Sequence, residues 1–229
     1  LLPAIAQEVA PVRAPAEDLV ALPVHVVGRT EPVLSEDGVP AWRRQWPGTY
    51  FETRITGENV LFRLGEGAVR LAVTVDGGAP VGLLRPAPGL YGVGELSAGS
   101  HIVRVQVISE SQAGSSLFEG FLAEPDVAVA AVTPRAHQIE FIGDSHTVGY
   151  GNRSATRDCT EEEVWLTTDT AQGPAGILAG RYDADYQVNA ISGRGIVRNY
   201  DGFDGDTLPE AYPYALLDHG VVYSPEDWA

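Results

Sequence analysis

The chain has 229 residues and a formal net charge of −16, from 31 acidic and 15 basic residues, and every basic residue is an arginine. That length holds one large or two small domains. The acidity is uneven, with 15 acidic against 10 basic residues over 1–136 and 16 against 5 over 137–229. A field of this sign repels nucleic acid and anionic lipid, so neither is expected as a partner, and it favours neutral or cationic ligands such as a polysaccharide. No stretch is long and apolar enough to span a membrane. The single cysteine, Cys159, excludes an internal disulfide and a thiolate metal cage, and it leaves the redox compartment open.

Residues 1–23 read as an N-terminal extension. Within it, Ala4-Ile5-Ala6 has the small-x-small pattern that ends a secretory signal peptide, with Leu1 and Leu2 as the tail of an apolar region. The expectation is a secreted or periplasmic protein. Over 24–123 the hydrophobic period is two. Phe51, Thr53 and Ile55 alternate with Glu52 and Arg54, and Val103, Val105 and Val107 alternate with Arg104 and Gln106. Val69, Leu71, Val73 and Val75 run into the turn Asp76-Gly77-Gly78. Glycine, proline and serine clusters separate these runs, and no convincing amphipathic helix intervenes. This is the pattern of an all-β sandwich.

Residues 124–136, with prolines near both ends, read as a linker or crossing strand. The pattern then changes over 137–229. A strand over 138–143 is followed by a polar loop, a helix over about 168–182 in which Gly173-Pro174 either weakens the helix or sets its start, and a strand from Tyr186 to Ile191. Strand, helix, strand is the opening of a parallel α/β sheet. The segment from Tyr200 looks irregular. Two parallel strands and one helix leave sheet faces and edges uncovered, so either more chain after Ala229 or another chain is expected to complete the sheet, the former being preferred.

The first of those strands ends on Gly143-Asp144-Ser145. Open α/β sheets place their ligand sites at the carboxyl ends of strands, and a glycine permits the sharp turn needed there. Ser145 is the candidate nucleophile. Its own backbone N–H, at the start of a following turn, is free to face an oxyanion. Gly193 follows the second strand and is the candidate for a second oxyanion donor. Asp144 is expected to order the turn rather than to join a triad. The alternatives are a serine that only caps its turn and a glycine that only makes one.

A nucleophilic serine requires a base. The histidines are His25, His101, His137, His146 and His219. His146 adjoins the serine, but neighbouring side chains on a turn diverge. His101 opens a sandwich strand, and His219 lies in the irregular region. None reads as the base.

The blocks Phe141 to Asn152 and Ala190 to Tyr200, together with sandwich motifs such as Gly28-Arg29-Thr30, Trp46 to Glu52 and Phe118-Glu119-Gly120-Phe121, resemble the SGNH (GDSL-type) hydrolases and, among them, carbohydrate esterase family 2. The resemblance covers about 24–215. It implies a β-sandwich followed by the first part of an SGNH domain. It also implies a serine O-acetyl esterase that deacetylates hemicellulose-type polysaccharides through an acetyl-enzyme, with no metal or organic cofactor. By that analogy Ser145 attacks and the N–H groups of Ser145 and Gly193 bind the oxyanion. The family's Gly-x-Asn-Asp and Asp-x-x-His blocks do not occur here, and histidine stands at 146 where an apolar residue is expected, so this chain alone is expected to turn over little. Two other readings stay open. One is a carbohydrate-binding protein with a vestigial serine, stacking sugars on Trp42, Trp46, Tyr50 or Tyr91. The other is an SGNH lipase or thioesterase.

Overall fold

The structure, a computed structural model, describes residues 8–13 and 19–224. The motif Ala4-Ile5-Ala6 lies outside the described residues. Two antiparallel sheets dominate. The first orders its strands as Glu8–Pro11, Gly89–Gly94, Val60–Leu64, Ser116–Ala123, Pro40–Arg44 and Glu31–Leu34, with Val20–Ala21 also pairing to Ser116–Ala123. The second runs Ala128–Ala130, Tyr50–Thr56, Ser100–Val107, Arg70–Val75 and Val81–Leu84, with His25–Val27 also on Tyr50–Thr56. Within 1–23, residues 8–11 and 20–21 are therefore sandwich strands rather than an appendage, and 128–130 is a sandwich strand inside the segment read as a linker.

The period-two runs point their apolar residues into one core of Phe51, Ile55, Phe62, Val73, Val103, Val105, Phe118 and Phe121. Phe51 and Phe118 stack at 4.1 Å, and Phe121 meets Phe118 edge-on, geometries that add to simple area burial. Strand Tyr50–Thr56 is buried on both faces. Phe51 and Ile55 enter the sandwich core, whereas Tyr50 packs with Val148, Ala175, Tyr186 and Val188 of the α/β part.

That α/β part is built on strands His137–Gly143 and Ala184–Ala190, paired in parallel from His137↔Ala184 to Gly143↔Ala190. The connecting helix is Pro174–Tyr182, preceded by a 3₁₀ turn at Thr170–Gln172. The helix expected from 168 thus starts at Pro174, which occupies the first turn, where its missing N–H costs nothing. A second helix, Glu161–Thr167, lies in the region read as loop. Its capping box joins Thr160 and Glu163, and three glutamates in its first turn suit the helix dipole. The region from Tyr200 is more ordered than expected, with a short helix at Leu208–Ala211 and a hairpin of Tyr214–Leu216 and His219–Val222. Among the described residues, no helix is long and apolar enough to cross a membrane.

Polar contacts join the sandwich to strand Ala184–Ala190. The Asp185 carboxylate, buried, accepts from Tyr50 Oη at 2.6 Å and from Arg135 Nη1 at 2.6 Å, and it pairs with His25 Nε2 at 3.0 Å. Arg135 also bonds Glu52, which in turn accepts from Arg104 Nε at 2.7 Å. Gln106 Nε2 donates to Tyr186 Oη at 2.6 Å. Gly48 turns with φ +76°, and a Cβ there would lie 3.1 Å from Val188 Cγ2 and 3.2 Å from Thr170 Cγ2, so the sandwich backbone meets the parallel sheet at van der Waals distance.

Burial opposes charge on Asp185, but hydrogen bonds from His25, Tyr50 and Arg135 outweigh it and hold the carboxyl well below the ordinary aspartate range. A depressed carboxyl stabilises the fold above its unfolded value, and that contribution fades as pH falls toward the folded value. Asp185→Asn strips the charge from a buried pair and leaves Arg135 under-compensated. Urea unfolding at pH 7 should show a loss of about 3–5 kcal/mol, with the gap to wild type narrowing below about pH 4.

Candidate functional site

Strand His137–Gly143 ends where Asp144 caps a one-turn helix, Ser145–Val148, its side chain accepting from the His146 N–H at 3.1 Å. Asp144 thus orders the turn, as its position suggested. Gly143 allows a close approach: a Cβ there would stand 2.1 Å from Thr147 Oγ1 and 3.0 Å from its Cβ, so a larger residue would force Thr147 to shift. The bare backbone lets Thr147 pack directly on the strand end while the helix presents Ser145 at its first position. Behind it, Asn152 clamps the Gly149–Asn152 turn to the next loop, donating to Asp169 O and accepting from Asp169 N, both at 2.9 Å.

The register places Gly193 beside this turn. Gly143 faces Ala190 across the parallel ladder, and the Ile191 N–H reaches Gly143 O at 3.4 Å. Ser145 lies two residues beyond that level on one strand, Gly193 three on the other. Gly193 has φ +83°, and a Cβ there would press on the Phe203 ring at 3.0 Å. Its carbonyl accepts from the Tyr200 N–H at 2.8 Å. Among the described residues, neither the Ser145 nor the Gly193 N–H donates to a protein acceptor, and Ser145 is half-buried rather than sealed in hydrocarbon. Two free amides and a hydroxyl at adjacent strand ends are what acyl transfer needs at a tetrahedral centre.

The 192–193 loop is held from the sandwich by residues whose role was not legible in the sequence. The buried Glu110 carboxylate accepts from the Ser192 N–H at 2.9 Å, and Gln112 Nε2 donates to Ser192 O at 3.1 Å and to Glu110 Oε1 at 3.2 Å. Burial pushes the Glu110 carboxyl above its ordinary value, against the pull of these donors. Farther along, the buried Asn199 side chain staples the loop to itself, accepting from Gly195 N at 3.2 Å and donating to Gly205 O at 2.9 Å. That gives Asn199 a structural role; Arg198 is exposed.

The histidines are engaged elsewhere. His25 pairs with Asp185, and His101 with Asp76 at 2.7 Å. His219 Nε2 lies 2.5 Å from Asp206 Oδ2, with its ring stacked on Tyr214 at 4.2 Å. His137 and His146 are exposed. Among the described residues, no hydrogen bond ends on the Ser145 hydroxyl. His25, Glu52 and Asp185 are close enough to ligate a cation, but the Arg135 guanidinium already bonds both carboxylates and supplies the positive charge there.

Three of the four aromatic residues offered as sugar platforms are corrected. Trp46, Tyr50 and Tyr91 are 1%, 0% and 4% exposed. Trp46 packs with Ile191 and Leu208, and Tyr91 stacks on Phe62. Trp42 packs on Phe51 and Phe118. The rings of Trp46, Tyr50 and Tyr91 are committed to packing, and Trp42 is partly buried.

Comparison with known proteins agrees with this architecture. Residues 26–132 match the family model described as carbohydrate esterase 2 N-terminal. An acetylxylan esterase / glucomannan deacetylase of Cellvibrio japonicus is 39% identical over 208 residues, covering 90% of this chain and 58% of that protein. A solved carbohydrate esterase, described as displaying divergent catalytic and non-catalytic binding functions in its active site, superposes with TM-score 0.84 at 37% identity, over 91% of this chain and 62% of its own. A family two carbohydrate esterase from Clostridium thermocellum, solved in complex with cellohexaose, gives TM-score 0.76 at 25% identity, over 90% and 62%. The chain thus spans about three fifths of the length of these relatives. Over about nine tenths of its length this chain is thus similar to carbohydrate esterases, family two among them.

The Glu110 clamp can be checked directly. Glu110→Ala should speed amide hydrogen exchange at Ser192 by about tenfold, on a lost hydrogen bond of roughly 1–1.5 kcal/mol, and Glu110→Gln, which keeps an acceptor, should restore most of the protection. Equal protection in all three proteins would contradict the clamp.

Proposed function

We propose that this chain belongs to a secreted or periplasmic serine O-acetyl esterase of the SGNH type, which removes acetyl groups from a neutral plant-type polysaccharide. The observation that carries the reading is the Gly143-Asp144-Ser145 turn, set in parallel register beside Gly193 with both amides unspent. Similarity to an acetylxylan esterase and to a structure holding cellohexaose supports the substrate class.

In the proposed reaction Ser145 Oγ bonds to the acetyl carbonyl carbon while its proton passes to a base. The N–H groups of Ser145 and Gly193 take up the negative charge of the tetrahedral adduct. Collapse expels the sugar hydroxyl, which recovers the proton, and leaves an acetyl-enzyme. Water then attacks the acetyl carbon through a second adduct, releasing acetate. Within the described residues the histidines are tied to carboxylates or exposed, so the base is proposed to come from outside this sequence, and the chain alone is proposed to be nearly inactive.

The unpartnered Ser145 hydroxyl favours one second reading, a glycan-binding protein whose serine no longer turns over. Acetate release from acetylated xylan and glucomannan separates the two. In the full-length protein, Ser145→Ala should reduce release by about 10⁴–10⁶-fold, and acetyl esters should be preferred over longer acyl esters. Undiminished release by Ser145→Ala would overturn the nucleophile. Equal release by this chain and the full-length protein would overturn the external base.

A further inference from the structure

The sandwich loop 110–115 and the helix Glu161–Thr167 enclose a groove of about 630 Å³, lined among others by Arg85, Glu110, Gln112, Tyr150 and Trp165. This is within the size range of small-ligand sites, and neither Ser145 nor Gly193 lines it. We propose that the groove binds the neutral glycan backbone that flanks the acetylated sugar, as a subsite distinct from the reactive centre. The inference rests on the esterase reading for its substrate class.

Three observations carry it. The first is continuity. Tyr150, 49% exposed at one wall, donates its backbone N–H to Ser145 O at 3.0 Å, and Gln112, at the other, holds Ser192. The two walls of the groove are thus tethered to the loops that carry the proposed nucleophile and oxyanion donor. On this proposal a polymer whose acetyl group reaches Ser145 lays its neighbouring units in the groove.

The second is the chemistry of the lining. Tyr150 offers an exposed ring of the kind that covers the C–H face of a pyranose. Trp165 is fixed in orientation, its indole Nε1–H donating to Glu110 O at 3.1 Å and Arg85 lying 4.3 Å over its ring. Gln112 spends its amino group on Glu110 and Ser192, and its side-chain carbonyl oxygen faces no protein donor among the described residues. Ordered rings beside a free acceptor suit a ligand with apolar faces and hydroxyl edges.

The third is charge. Arg85, the one cation of the lining, is paired with Glu162 at 2.7 Å, and Glu161 adds a further carboxylate. Anionic polymers are repelled, and neutral ones are not.

The test is a titration followed at the Trp165 indole N–H resonance, assigned by its loss in Trp165→Phe. Unacetylated xylohexaose or cellohexaose should shift the Trp165 signal saturably, and oligogalacturonate should not. Tyr150→Ala should weaken that binding by at least about fivefold, with Ser145→Ala binding as wild type does. An indole signal unmoved by both neutral oligosaccharides, or an unchanged Kd in Tyr150→Ala, overturns the subsite. A stronger response to oligogalacturonate overturns the neutral-ligand assignment. The measurement needs no turnover, so it fails or succeeds separately from the esterase reading, which stands on acetate release and Ser145→Ala.

Discussion

The Arg135 guanidinium, shared between Glu52 of the sandwich and Asp185 of the parallel sheet, is the contact on which the positions of the rest depend. Charges are expensive to bury, and an isolated one would neutralise or stay in water. Here the donors of His25, Tyr50 and Arg135 converge on Asp185. The cluster is satisfied only when sandwich and sheet are docked in one register, so it specifies geometry as much as it stabilises. Strand Ala184–Ala190 is thereby buried along its whole length, although its sheet has only one other strand among the described residues.

From that strand the constraint passes to the proposed reactive centre. Its carboxyl end leads within three residues to Gly193, and the parallel ladder ties the same level to Gly143. Two further ties finish the placement: Glu110 on the Ser192 amide, and the close fit of Thr147 over Gly143. The sandwich is thus part of the site's scaffold, since one of its loops sets the orientation of a proposed oxyanion donor. The same loop forms a wall of the Tyr150–Trp165 groove, so positioning and ligand recognition share residues.

Much of this was legible in the chain, for local reasons. Alternation revealed the sandwich strands because inward and outward residues differ in polarity. Gly143-Asp144-Ser145 revealed the turn because glycine and an Asx cap are local signals. The helix Glu161–Thr167 was missed even though Thr160 and Glu163 spell a capping box, because its seven residues are too few to show a helical period. What could not be read is long-range. Asp185 and Glu52 look like surface acids until their partners, up to 160 residues away, are in place. Glu110 acquires its role only from Ser192. The aromatic residues could not be assigned from the chain because tryptophan and tyrosine serve both cores and sugar platforms, and only burial separates the two uses.

The most direct measurement is the structure of the full-length protein after covalent reaction with an alkyl phosphonate ester. The account predicts a phosphorus atom bonded to Ser145 Oγ, with one phosphoryl oxygen within about 3 Å of both the Ser145 and Gly193 amide nitrogens. A phosphonate attached to another residue, or one on Ser145 whose oxygens turn away from the Gly193 amide, would contradict it.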